Sequence, residues 1–198
     1  MIADLSAYQQ SHPTAVEGED DFESDGTWYS MIAVNGALYA VEPNHGEIDK
    51  ITTGGAISRV SDISASQGHV VPSALAYHGN LFVGNLGTFP QELGSAKVWK
   101  VNPGAQLKVA ASGFDMVVGL AIDAYNRMYV LELAANNAAP ARGAGRITRI
   151  MPSGKIEVIA DGLMFPSAMT LGPDGNLYVS IFGLGGPGQV VMVDLSHG

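Results

Sequence analysis

Cysteine is absent from the 198-residue chain, which excludes disulfides, thiolate nucleophiles and cysteine-bound metals. Bases are scarce: ten Lys and Arg against nineteen Asp and Glu leave a formal charge of −9. Such a surface repels a polyanion, so nucleic acid is not an expected partner. The excess acid serves solubility, and carboxylates that gather in one place attract hard cations. No apolar run approaches the ~20 residues that cross a bilayer, so no membrane partner is expected. No segment sustains a 3.6-residue apolar period, which argues against long helices. Residues 1–10 lack the basic start and apolar middle of a signal peptide. The expected location is therefore the cytosol, or a compartment reached through a targeting segment outside this sequence.

Glycine and proline are plentiful, at 25 and ten residues, and they punctuate short alternating runs. A repeat lies beneath them. Four segments end in an apolar–aromatic pair after a turn: Leu38-Tyr39, Leu81-Phe82, Met128-Tyr129 and Leu177-Tyr178. The pairs stand 43, 47 and 49 residues apart. Asn35-Gly36, Gly79-Asn80 and Asp174-Gly175 precede three of them and supply the positive φ of tight hairpins. After each pair come a variable loop, an alternating strand such as Lys97-Val98-Trp99-Lys100-Val101, a tight turn and a closing strand.

Each unit reads as a four-strand meander with two selective faces, which stacking around an axis would bury. The expected fold is all-β: a β-propeller of about four four-stranded blades, at about 28–65, 66–114, 115–163 and 164–198. The last unit lacks a fourth strand. Residues 1–5 repeat the pattern of Ile159-Ala160-Asp161-Gly162-Leu163, so they are the candidate strand that completes the last blade. Residues 6–27 are the expected connecting segment, exposed and acidic at Glu17, Glu19, Asp20, Asp21, Glu23 and Asp25. Two chains sharing one ring, a homo-oligomer, is the other route to closure.

Aligning the aromatic pairs sets Glu42, Asn85, Glu132 and Ile181 at equivalent positions, expected at the ends of the innermost strands. Two carboxylates and an amide oxygen form a hard-cation set. Glu42, Asn85 and Glu132 are thus candidate ligands for Ca²⁺ or another divalent cation on the channel axis, and Ile181 breaks the ring. Of the five histidines (His12, His45, His69, His78 and His197), no two show helical metal spacing. His78 reads as a solvated turn residue, and His45 and His69 as loop residues near the channel mouth. The loops 87–94, 134–145 and 183–188 recur at one hairpin of each unit and gather on one face, the default binding surface. His45, Phe89, Asn136 and Arg142 are its candidate contact residues. The glycine-rich 183–188 precedes no helix, so it is not a phosphate cradle. Ser73 and Ser167 follow prolines and read as turn formers; no catalytic residue is assigned.

The runs Pro72-Ser73-Ala74-Leu75-Ala76 … Gly79-Asn80-Leu81-Phe82-Val83 and Pro166-Ser167-Ala168-Met169 … Asp174-Gly175-Asn176-Leu177-Tyr178-Val179 resemble NHL-type and gluconolactonase-like propeller repeats. The order Ile2-Ala3-Asp4-Leu5-Ser6-Ala7-Tyr8, Glu23-Ser24-Asp25 and Glu42-Pro43-Asn44 resembles the ScyD family of bacterial propellers along the whole chain. That resemblance implies a longer, exported parent with further N-terminal blades, often without an assigned activity. The gluconolactonase-like resemblance implies an axial divalent metal held by acids and an asparagine, types that Glu42, Asn85 and Glu132 match. The lactonase general-base aspartate has no counterpart near Ile181. The expected function is a non-catalytic binding or scaffold module that presents a loop-rich face and a channel to a small molecule or protein. A divalent-metal-dependent lactonase or lyase is the alternative.

Overall fold

In the computed structural model, which describes residues 1–16 and 23–196, the alternating runs become fifteen strands of at most eight residues. Blade 1 holds β1 (Ser30–Val34), β2 (Ala37–Glu42), β3 (Glu47–Thr52) and β4 (Ile57–Asp62). Blade 2 holds β5 (Pro72–Tyr77), β6 (Leu81–Asn85), β7 (Ala96–Val101) and β8 (Leu107–Phe114). Blade 3 holds β9 (Val117–Ile122), β10 (Met128–Glu132), β11 (Gly145–Ile150) and β12 (Ile156–Leu163). Blade 4 has β13 (Ala168–Leu171), β14 (Leu177–Ile181) and β15 (Gln189–Val193), and no fourth strand among the described residues. Every sheet is an antiparallel meander in chain order, and together they form a four-blade β-propeller. Asn35 and Gly36, at φ 50° and 78°, make the β1–β2 turn that the sequence predicts.

The strands that meet between blades are β1 with β5, β5 with β9 and β9 with β13. The first strand of each blade is therefore innermost. Gly84 on β6 permits one close approach: a Cβ there would stand 2.6 Å from Val117 Cγ1. Three apolar clusters fill the spaces between successive blades. Register explains which residues fill them. Tyr39, Phe82 and Tyr129 point to the blade that follows, with Ile48, Val98 and Ile147 beside them on the third strands. Leu81, Val83 and Trp99, and likewise Leu177, Val179 and Val191, point to the blade before.

The N-terminal expectation is corrected. Residues 1–4 form no strand, and Leu5–Ser11 is a helix, α1. Asp4 caps it by accepting the Ala7 amide at 2.9 Å, a contact typically worth about 1 kcal/mol. Tyr8 and His12, one turn apart, stack at 4.2 Å. The segment lies on the outer part of blade 1, on the face turned away from blade 2. There the Arg59 amide donates to Tyr8 Oη at 2.8 Å and the Ala15 amide to Asp62 at 2.9 Å. The Arg59 guanidinium donates to the carbonyls of His12 and Pro13 and pairs with Glu47. Beneath lie Glu42, Glu47 and Asp49, all fully buried. Burial, reinforced by Asp49, pushes the Glu47 carboxyl up to about 8, and burial raises Asp49 to about 6. Of the acidic connecting segment, Glu17, Glu19, Asp20 and Asp21 lie outside the described residues, as does His197.

Candidate functional site

Antiparallel order places the loops between second and third strands, and the connections between blades, on one side of the propeller. The tight turns occupy the other. The loop side is the candidate site, and one carboxylate organises it. Asp115, in the connection to β9, accepts the Gly94 amide at 2.6 Å and the Asn136 amide at 2.7 Å. It thereby ties the β6–β7 loop of blade 2 to the β10–β11 loop of blade 3. Its own amide donates to Glu132 at 2.9 Å. Around this clamp Phe89 and Leu93 are exposed at 61% and 56%, and Asn136 and Arg142 are exposed as well. Backbone strain marks the same rim. Val71, Met116 and Phe165 take left-handed φ of 54°, 47° and 44° where the inner strands of blades 2, 3 and 4 begin. Such conformations cost on the order of 1–3 kcal/mol each and concentrate at functional sites. Tyr29 crosses the ring here, its hydroxyl donating to the Ser167 carbonyl at 3.4 Å.

Glu42, Asn85 and Glu132 stand elsewhere than the alignment implied. They end second strands, not innermost ones, because the hairpin before each aromatic pair adds a strand nearer the axis. All are buried, and each binds backbone of its own blade. Glu42 accepts the amides of Thr27 at 2.7 Å, Asn44 at 3.1 Å and His45. Asn85 accepts the Lys97 amide at 2.7 Å and donates to the Val70 carbonyl at 3.0 Å. Glu132 holds the Asp115 amide and the Thr148 hydroxyl, and burial raises its carboxyl above the usual range. The three thus perform one task in three blades, fastening the incoming connection to the second strand. Each of these side-chain oxygens thus accepts at least one hydrogen bond. Among the described residues no group of three or more His, Asp or Glu is placed to hold a metal.

His45 is buried at 3% exposure beneath its loop rather than displayed on the face. His78 is not simply solvated: its ring bonds Asn126 at 2.9 Å, linking turns of blades 2 and 3. Ser73 belongs to β5, not to a turn, and its hydroxyl donates to the Val117 carbonyl across the blade 2–3 junction. Ser167 pairs with the Ser180 hydroxyl at 2.9 Å. The residue that sequence reasoning missed is Asp115. Its signal is a lone acid between Phe114 and Met116 at the head of an otherwise apolar run.

No family model and no curated protein matches the chain. Solved structures do. A streptogramin B lyase superposes with a TM-score of 0.56 at 13% identity, over 85% of this chain and 55% of that one. A gluconolactonase of Xanthomonas campestris gives 0.59 at 16%, over 79% and 53%. A putative glucose dehydrogenase of Thermus thermophilus gives 0.57 at 19%, over 86% and 66%. The chain therefore spans between about half and two thirds of the length of these neighbours. At such identities the likeness is one of fold. Among these neighbours a lyase, a lactonase and a dehydrogenase share one architecture, and the fold selects none of their chemistries.

Proposed function

We propose that this chain is a non-catalytic propeller module of the ScyD and NHL-like type, which presents its loop side to a small molecule or protein. The observation that carries this reading is the Asp115 clamp. One buried carboxylate fixes loops from two blades against each other and sets out Phe89, Leu93 and Arg142 as a single surface. Rigid scaffolds with positioned loops are the common design of binding faces. Glu42, Asn85 and Glu132, the types that resemble a lactonase metal set, each accept a backbone amide, which supports a structural part for them. Purified protein incubated with glucono-lactone and added calcium or zinc is expected to show hydrolysis no faster than buffer. Turnover that is lost in Glu132→Ala would overturn the reading in favour of a metal-dependent lactonase. A thermal-shift screen of small molecules gives the positive arm, with stabilisation expected to disappear in Phe89→Ala and Arg142→Ala.

A further inference from the structure

On the side that each blade turns to the next, a base on the third strand stands across from the aromatic of the second. The pairs are Lys50 with Tyr39, Lys100 with Phe82 and Arg149 with Tyr129. Opposite the base on the fourth strand come Ser58, Lys108 and Glu157 in turn. Of these three blades only the third sets an acid there, and Arg149 is bound to Glu157 at 2.6 Å. Lys50 has no ion-pair or hydrogen-bond partner among the described residues. It lies half-buried in the wall of a hollow of about 380 Å³ between blades 1 and 2, on the side of the tight turns. Tyr39, Tyr77, Asn80, Asn102 and Leu81 share that wall, and no acid lines it. The hydroxyls of both tyrosines and the side-chain amides of both asparagines also make no hydrogen bond among the described residues. Two complete blades frame the hollow, and a latch holds its rim. The Ser61 hydroxyl of blade 1 donates at 3.1 Å to the carbonyl of Ala105, which turns from β7 to β8 with a left-handed φ of 63°.

We propose that this hollow is a binding site for a small aromatic carboxylate, with the carboxylate on Lys50 and the ring against Tyr39, Tyr77 and Leu81. The charge follows from Lys50. One ammonium without a counter-charge, in a hollow without acids, takes one anionic group, and in blade 3 Glu157 does the same for Arg149. A polyanion finds no second base in this wall, and the chain's −9 opposes it. The body follows from the two phenol rings and Leu81, which offer a planar apolar group its contacts. Asn80 and Asn102 can each donate to and accept from a polar substituent on the ring. The volume falls within the range of small-molecule sites. The neighbouring hollow between blades 2 and 3 is lined by neither Lys nor Arg, so the site is not a general property of the junctions. It stands on the opposite side of the propeller from Phe89 and Arg142, and it does not depend on what the loop side binds.

Calorimetric titration of the full chain with 4-hydroxybenzoate at neutral pH and low salt tests this. Saturable binding of one molecule per chain is expected, weakening as salt is added. The uncharged 4-hydroxybenzamide should bind at least ~10-fold more weakly, and Lys50→Gln should cost the carboxylate the same factor. Ser58→Glu is the sharper variant. It builds into blade 1 the ion pair that blade 3 already has, leaves every lining side chain in place, and should abolish binding. Circular dichroism should not change in either variant, and the second stands in should the first not fold. Arg142→Ala, on the loop side, should leave binding intact. No saturable binding below about 10 mM, equal binding of the amide, binding that survives both Lys50→Gln and Ser58→Glu, or binding lost in Arg142→Ala would overturn the proposal.

Discussion

Blades 1 and 4 each have a face that no neighbouring blade covers, and the chain treats the two faces in opposite ways. On blade 1 the open face holds buried acids, Glu42, Glu47 and Asp49, roofed by the N-terminal segment and bridged by Arg59. On blade 4 it holds Val190, Met192, Thr170 and Ala168, roofed by nothing among the described residues. The difference teaches that the cover a blade face needs depends on the chemistry it exposes. Buried carboxyl groups require hydrogen-bond and charge partners, which a local segment can supply. An apolar sheet requires only another apolar surface.

The sharpest way to break this comparison is to cut equivalent side chains. Ile147→Ala should cost about 3 kcal/mol, because it empties a fully buried site between blades 3 and 4. Urea unfolding of the dilute protein measures it. Arg59→Ala should cost about 2 kcal/mol, since it strips Glu47 of its partner and the His12 and Pro13 carbonyls of their donor. Proteolysis near residue 12 should speed up with it.

The roof also gives blade 1 a pH dependence. Glu47 binds its proton up to about 8 in the native state against an ordinary value of 4.5. Between those values the native chain holds a proton that the unfolded chain has released. Stability therefore falls as pH rises through this window and levels off above it. Asp49 acts in the same direction between 3.8 and about 6. Unfolding midpoints at pH 5 and pH 8 should differ accordingly, and Glu47→Gln should flatten the slope. The smallest effect closes the series: Val190→Ala should change the stability of the dilute chain by less than about 0.5 kcal/mol. A loss comparable to that of Ile147→Ala would erase the contrast between the blades.

The repeat was legible because the aromatic pair does the same physical work in each unit. Tyr39, Phe82 and Tyr129 each seal a blade against the next. Radial order was not legible. Period-2 alternation distinguishes the two faces of a strand but not its distance from the axis, so Glu42, Asn85 and Glu132 were read one strand too far inward. Nor does residue type reveal that a carboxylate's oxygens are already engaged by backbone amides 15 to 17 residues upstream. Residues 1–5 carry an outer-strand pattern, but four or five residues hold too little pattern to exclude a cap: Asp4 starts a helix instead. Asp115 escaped notice because its role depends on two loops that meet only after folding.

Because the chain has no cysteine, single thiols can report the decisive exposure directly. Val98→Cys and Val190→Cys, each labelled under native conditions in dilute solution with a thiol reagent, compare the same position in blades 2 and 4. Val190→Cys should react nearly as fast as an unfolded thiol, while Val98→Cys should react only as the chain opens. Equal protection of both at every dilution would contradict the account, because the outward side of blade 4 would then be covered within a single molecule.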